Sequence, residues 1–146
     1  MAKGYLRPSI LSDVRSVSER MREMDVRELE ALQQTPKDSL NQGMLQSKDC
    51  QTVVIDDSAE AMFGISKTSE GGLIWFLCTD QITKVRFQLI KQGRAWVDEQ
   101  VQNYGLLYNY VLEIHEEAQA FIAMMGFEFT HRVVIYGKDF LRFERN

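Results

Sequence analysis

Few side chains in this sequence combine a reactive type with a suitable setting. Cys78 ends an apolar run, where burial makes a thiol inert, so we interpret it as a core residue rather than a nucleophile. His115 opens a helical segment and could contact a ligand or titrate near neutral pH, although capping of the helix end is the simpler interpretation. Asp56 and Asp57 lie in a polar cluster typical of turns. The sequence contains no Ser/His/Asp, metal-ligand or Walker pattern.

Composition limits the kind of protein this chain can be. Hydrophobic residues make up 45% of the 146 positions and charged residues 26%, which is typical of a globular domain with a sizeable core. The net charge of −4 argues against duplex nucleic acid as a partner. No apolar run approaches the roughly 20 residues of a membrane span, and the N-terminal residues lack a secretory signal pattern. We expect one domain over residues 1–146, with reduced cysteines and no membrane partner.

Local signals in the first half of the chain predict strands and helices in alternation. Residues 5–8 form a predicted strand, followed by a helix with densely alternating charges. Thr35 and Pro36 supply a cap and a first-turn proline, which predict the start of another helix. Residues 52–55 and 61–66 are predicted strands that a turn joins into a hairpin.

Apolar periodicity continues through the middle of the chain. Residues 73–78 are continuously apolar, which predicts a central strand covered on both faces. Residues 81–104 carry a broad apolar face and form the longest predicted helix. Gly93 lies within that face, and we expect close packing onto a strand to justify it. Residues 108–114 are predicted to form the next strand.

The last third of the chain predicts a short helix and a hairpin. An inner helical stripe falls at i, i+3, i+4 and i+7, on Ala118, Phe121, Ile122 and Met125. Gly126 suits the left-handed end of that helix. Residues 128–135 and 140–145 form the predicted hairpin. Six aromatic side chains lie on apolar faces of predicted elements and are expected in the core: Trp75, Phe76, Trp96, Phe121, Phe127 and Phe129.

This order of elements resembles the GNAT superfamily of N-acetyltransferases over essentially the whole chain. Leu6-Arg7-Pro8 followed by Asp13 is similar to the usual start of the family, and Ala118 lies eight residues before Gly126-Phe127, as in its last helix. The resemblance implies an α/β fold with a mixed, mainly antiparallel sheet of six to seven strands and about four helices. It also implies acetyl-CoA as a cofactor.

A closer resemblance is to the GNAT-like internal virion proteins of podoviruses, the short-tailed phages. The shared features are an apolar strand leading into Thr79-Asp80-Gln81, a basic long helix, a Tyr108-Asn109-Tyr110-Val111 strand and the Gly126-Phe127 helix end. This resemblance implies a role in virion assembly or early infection. It further implies phage or host proteins as partners, and a location in the virion or the host cytoplasm.

The sequence departs from acetyl-CoA-using family members at the cofactor loop. Those members hold the pyrophosphate in a Gln/Arg-x-x-Gly-x-Gly/Ala loop, whose glycines let backbone N–H groups approach the phosphates. Here Lys84 and Arg86 replace both small residues. Either these cations bind phosphate through side-chain charge, or they block the pocket, or they are solvated helix residues. The residues that the resemblance assigns to cofactor contacts are Cys78, Thr79, Gln81, Lys84, Arg86 and His115.

The positions that handle protons in the family also differ. Many family enzymes carry a Tyr four residues before the glycine, and this position is Ile122, which cannot donate a proton. Residues 73–78 contain no carboxylate or histidine that could serve as a base. We therefore expect no catalytic residue and weak or absent acetyl-CoA binding. The alternatives are a working N-acetyltransferase with a divergent cofactor loop, and a phage protein that binds a host factor.

Overall fold

The computed structural model describes residues 2–146 and shows a mixed α/β fold. Its strands and helices, in chain order, are β1 (Gly4–Pro8), α1 (Leu11–Glu19), α2 (Glu23–Ala31), α3 (Pro36–Gln46), β2 (Gln51–Ile55), β3 (Ser58–Lys67), β4 (Gly72–Cys78), a 3-10 helix (Asp80–Val85), α4 (Arg86–Tyr104), β5 (Leu107–Leu112), α5 (Glu116–Met124), β6 (Glu128–Ile135) and β7 (Lys138–Arg145). Over these residues, a seven-stranded and mainly antiparallel sheet has the order β1-β2-β3-β4-β5-β7-β6. The predicted fold class is confirmed.

The chain divides into two compact units. The first covers Met1–Ser66 and Ile74–Arg86, and the second covers Lys67–Leu73 and Phe87–Asn146. The expectation of a single domain stays a prediction. Among the described residues, none of the helices combines the length and apolarity that a membrane span requires.

In the first unit, β1, β2 and β3 form an antiparallel meander. Asp56 and Asp57 connect β2 to β3 with φ values of 48° and 66°, a pair of left-handed residues that suits a tight hairpin. The turn prediction for these aspartates is therefore confirmed. The apolar core of this unit consists of Val14, Val17, Met21, Leu29, Leu40, Ala59, Met62 and Leu77.

The helices of the first unit follow their local signals. The Thr35 hydroxyl accepts a hydrogen bond from the Asp38 amide at 3.2 Å and caps α3, as the sequence predicts. The chain leaves the helical path between α1 and α2, and Met21 instead makes an isolated bridge with Thr79. Two separate helices result, so the described residues hold five α-helices rather than about four.

The second unit contains a parallel pair of strands. Gly72 pairs in parallel with Leu107, and Leu73 pairs in parallel with Tyr108, so β4 and β5 are parallel neighbours. β7 pairs antiparallel with both β5 and β6. Buried residues of this unit include Val97, Leu107, Val111, Met125, Phe127, Phe140 and Phe143.

Gly93 is explained by a contact other than the expected one. A Cβ atom at this position would lie 3.1 Å from Sδ of Met125, the C-cap residue of α5. Close approach of α4 to the end of α5, rather than to a strand, therefore favours glycine here. Gly126 follows with φ of +87°, which confirms the predicted left-handed helix end.

Three expectations from the sequence require correction. The segment predicted as one helix over residues 81–104 begins as a 3-10 helix, because buried residues at i and i+3, Ile82 and Val85, fit either helix type. Residues 73–76 are half-buried rather than fully covered. Phe129 retains 39% exposure because β6 lies at the edge of the sheet.

Candidate functional site

The segment after β4 holds most of the residues that the sequence singles out. Thr79 is buried and caps the 3-10 helix, and its hydroxyl accepts from the Gln81 amide at 3.2 Å. The Ile82 amide donates to the Thr79 carbonyl at 3.3 Å, and the Arg86 amide donates to the Thr83 carbonyl. These backbone donors are used inside the helix. A glycine-type cradle of N–H groups around a phosphate is therefore replaced by a capped helical turn.

Lys84 and Arg86 present their side chains to solvent at the junction of the 3-10 helix and α4. Ile82 and Val85 are buried on the inward side of the same segment, so the cations occupy the outward side. Asp80, also exposed, opens the segment with one opposing charge. Two cations two positions apart can bind a phosphate through side-chain charge, and Arg can do so bidentately.

Cys78 is buried in the first unit, where it is hydrogen-bonded to Asp25. Its backbone amide donates to Oδ2 of Asp25 at 3.1 Å, and its thiol lies 3.8 Å from the same oxygen. Arg22 donates to the other carboxylate oxygen of Asp25 at 2.9 Å. The side chain of Cys78 has no exposed surface, which supports the core interpretation. The Cys78 carbonyl accepts from the Arg22 amide at 2.8 Å, so both backbone groups of this residue are hydrogen-bonded within the first unit.

Glu60 is a buried carboxylate beside this segment that sequence reasoning missed. Its Oε1 accepts from Nη1 of Arg20 at 2.6 Å and from the Thr79 hydroxyl at 2.6 Å. Burial alone would raise the pKa of Glu60, but hydrogen bonds from Arg20, Thr79 and Ser58 outweigh burial and lower it. Glu60 therefore stays ionised near neutral pH. The one local signal was a charged residue within the apolar strand β3.

His115 lies in the second unit and acts as the N-cap of α5. It is fully buried, and its Nδ1 accepts from the Ala118 amide at 3.4 Å. This geometry confirms the capping interpretation. The structure thus groups Cys78, Thr79, Gln81, Lys84 and Arg86 in the first unit, whereas His115 belongs to the second.

The position of the usual proton donor is also in the second unit. Ile122 lies on α5 and is half-buried, and its carbonyl accepts from the Met125 amide at 3.1 Å. An aliphatic side chain there can exclude water but cannot exchange a proton. Within residues 2–146, no three His, Cys, Asp or Glu side chains cluster as metal ligands would.

A second polar cluster, also missed from the sequence, surrounds Arg142 in the second unit. The guanidinium lies 4.5 Å from the centre of the Tyr108 ring and donates to the Tyr110 hydroxyl at 2.9 Å. Nε of Arg142 donates to Glu144 at 2.7 Å. Burial opposes the charge, but the bonds to Glu144 and Tyr110 prevail and raise the pKa of Arg142. Arg142 therefore stays charged, and its contacts hold the side chains of Tyr108 and Tyr110 in place.

Comparison with known proteins identifies the fold. No protein-family model matches the sequence, and no curated protein matches it. Among solved structures, Ard1 from Thermoplasma volcanium has a TM-score of 0.74 and 17% identity, with 97% of this chain and 96% of that chain covered. The ribosomal-protein-S18-alanine N-acetyltransferase from Escherichia coli has a TM-score of 0.69 and 10% identity, with 97% of this chain and 92% of that chain covered.

A third solved structure carries the cofactor. The GNAT superfamily phosphinothricin acetyltransferase from Sinorhizobium meliloti, in complex with AcCoA, has a TM-score of 0.61 and 13% identity, with 97% of this chain and 87% of that chain covered. The structural neighbours are thus acetyltransferases, some of the GNAT family. At these identities the likeness shows the fold alone, and the chain has a GNAT-like fold.

Proposed function

We propose that this chain is an acyl-CoA-dependent N-acetyltransferase that holds the pyrophosphate of its cofactor with the side chains of Lys84 and Arg86. The observation that carries the proposal is the outward display of both cations on the capped segment directly after β4. The GNAT-like fold supports it, as does the AcCoA complex of one structural neighbour. The proposal differs from the expectation of weak or absent binding that the sequence favours.

The cofactor fits the side chains of this segment better than its backbone. The amides of Gln81, Ile82 and Arg86 are already bonded, so we assign most of the attraction to the cations. Contacts between exposed charges are individually weak and are screened by salt. We therefore expect binding that weakens markedly as ionic strength rises, unlike binding through a backbone cradle.

Bound acyl-CoA would supply a thioester as the donor of the acyl group. Ile122 occupies the position where many family enzymes protonate the leaving thiolate, so this chain offers no side-chain donor there. Water must then take over that role. A positioned general acid contributes about 10²- to 10⁴-fold to rate, so we expect slow turnover.

A second candidate function is a GNAT-like phage protein without acetyl transfer, acting in virion assembly or early infection. Two observations favour it: Ile122 in place of a proton donor, and long cationic residues in place of the small residues of the cofactor loop. The sequence resemblance to podovirus internal virion proteins points the same way. Such a protein would bind a phage or host protein instead of turning over acyl-CoA.

The proposed function is tested by titrating acetyl-CoA into the protein at two salt concentrations in a calorimeter. We expect saturable binding that weakens with added salt. The double variant Lys84→Ala/Arg86→Ala should bind at least about 10-fold more weakly. Lys37→Ala/Lys48→Ala is the matched control, because it removes two exposed cations elsewhere in the first unit.

Catalysis requires a separate measurement. Acetylated products from a panel of primary amines and peptide N-termini should be detected by mass spectrometry, because the free thiol of Cys50, which is only partly buried, would add background to a thiol-detecting assay. Slow product formation that the double variant loses supports the enzyme. Binding without product would favour a non-catalytic role, and the absence of both would overturn the proposed function.

A further inference from the structure

We infer that Glu60 is a positioning residue that acts through the hydroxyl of Thr79. It fixes the proposed cofactor segment, residues 79–86, in place. Neither residue needs to touch the cofactor. The functional consequence rests on the proposed function, whereas the geometry itself lies entirely within the first unit.

The two residues are joined at two points. The Thr79 hydroxyl donates to Oε1 of Glu60 at 2.6 Å, and the Thr79 amide donates to the Glu60 carbonyl at 2.8 Å. The side chain of Glu60 is only 4% exposed, and Thr79 is 2% exposed. The first residue of the segment is therefore tied to β3 by both its backbone and its side chain.

The direction of these hydrogen bonds follows from the donors available. An ionised carboxylate can only accept, so the single proton of the Thr79 hydroxyl must point at Glu60. The lone pairs of that hydroxyl then face the Gln81 amide, which donates to it at 3.2 Å. Glu60 thereby sets Thr79 as the acceptor for the Gln81 amide in the first turn of the 3-10 helix. A charge-assisted bond on one side of the hydroxyl also strengthens the bond on the other.

Arg20 keeps the carboxylate of Glu60 in this orientation. Its Nη1 donates to the same Oε1 at 2.6 Å, while its Nη2 donates to the Ala59 carbonyl and to the Ser16 hydroxyl, each at 3.0 Å. The arginine thus compensates a buried charge and fixes its rotamer. The series Arg20, Glu60, Thr79, Gln81 links the end of α1 to the start of the 3-10 helix.

The consequence concerns how Lys84 and Arg86 are presented. They follow Thr79 by five and seven residues, on a segment whose first turn depends on this cap. If the cap is lost, a ligand must order the segment as it binds, and the entropy of that ordering weakens affinity. Glu60 should therefore affect cofactor affinity without contacting the cofactor.

The test combines amide exchange with binding. Thr79→Val removes the hydroxyl at nearly constant volume, and loss of a helix cap at this position should speed exchange of the Gln81 amide by about 5- to 10-fold in NMR. Acetyl-CoA affinity should weaken by a similar factor. Thr79→Ser restores the hydroxyl and should restore both values.

Thr35→Val is the matched control, because the Thr35 hydroxyl caps α3 with the same 3.2 Å bond, here to the Asp38 amide. This variant should speed exchange of Asp38 and lower overall stability, but leave the Gln81 amide and acetyl-CoA affinity unchanged. A purely structural role for Thr79 would instead make the two variants alike in cofactor affinity.

A double-mutant cycle tests whether Glu60 acts through Thr79. Glu60→Gln, which preserves volume, should speed Gln81 exchange by at least about 2-fold alone and add nothing in combination with Thr79→Val. Additive effects, or unchanged Gln81 exchange in Thr79→Val, would overturn the inference. If the wild-type protein binds no acetyl-CoA, the proposed function fails, yet the exchange measurements still decide the role of Glu60.

Discussion

Arg7 holds the carboxylate of Asp13 in a bidentate pair, with N–H···O distances of 2.7 and 2.9 Å. The same carboxylate accepts from the Thr52 hydroxyl at 2.7 Å and from the Ile10 amide at 2.9 Å. One buried charge thus joins β1, β2 and the first turn of α1. Arg7 and Asp13 are also the residues through which the start of the sequence resembles the GNAT superfamily, and their pairing gives that pattern a physical basis.

Replacing Asp13 with alanine should destabilise the protein strongly. The side chain of Asp13 is 3% exposed, and its loss would leave Arg7, Thr52 and the Ile10 amide without their acceptor. We expect a cost of about 3 kcal/mol, the lower end for a broken buried pair, because Arg7 itself is 31% exposed. Urea unfolding measures this change.

The control for that change is Glu19→Ala. Glu19 pairs with Arg15 at i,i+4, but the two side chains are 62% and 84% exposed. An exposed pair of this kind is worth about 0.3 to 0.5 kcal/mol. Equal losses in the two variants would show that the network around Asp13 contributes no special stability.

Acid should destabilise the fold through Asp13 and Glu60. Burial opposes ionisation of both groups, but hydrogen bonds from Arg7 to Asp13 and from Arg20 to Glu60 prevail, and both pKa values lie below the ordinary 3.8 and 4.5. A lowered pKa gives stability that is complete above the ordinary value. It is lost as pH falls through the lowered pKa of the folded state.

Unfolding free energies measured between about pH 7 and pH 2 test this sign. Stability should decline below the ordinary pKa values, and the decline should be shallower in Asp13→Asn and in Glu60→Gln. A steep acid decline that both variants retain would assign the pH dependence to other groups.

These networks also mark the limit of what the sequence alone could predict. The Thr35 cap and the Asp56-Asp57 turn were predictable because every residue involved is local in sequence. Glu60 and Thr79 lie 19 residues apart, and Arg20 and Glu60 lie 40 apart, so no spacing rule pairs them. The sequence could single out Thr79 to Arg86 as a candidate segment, but it could not indicate the carboxylate that is hydrogen-bonded to Thr79.

Alanine substitutions should lower the free energy of unfolding more at fully buried positions than at half-buried ones. Phe140 has no exposed surface, so Phe140→Ala should cost about 3 to 5 kcal/mol. Leu89 lies at the centre of the predicted stripe of α4 but is only half-buried, and Leu89→Ala should cost clearly less, about 1 to 2 kcal/mol. Chemical denaturation provides both values. A larger loss at Leu89 than at Phe140 would contradict the burial of these two residues.

Introducing a proton donor at Ile122 should accelerate acetyl transfer. Ile122→Tyr places a phenol where many family enzymes have one, and a donor short of ideal alignment should raise kcat by about 10-fold, below the full range for general acids. Ile122→Phe adds similar bulk without a hydroxyl and should not raise kcat. Equal effects of Tyr and Phe would mean that shape rather than proton transfer limits the rate.

Thermal unfolding with and without acetyl-CoA tests the central claim most directly. A ligand at 100 times its Kd stabilises the folded state by about 2.7 kcal/mol, which at about 2 to 4 °C per kcal/mol is roughly 5 to 11 °C for a domain of this size. We predict such a shift for the wild-type protein and for Lys37→Ala/Lys48→Ala, and its loss in Lys84→Ala/Arg86→Ala. No shift in the wild-type protein with millimolar acetyl-CoA would contradict the account.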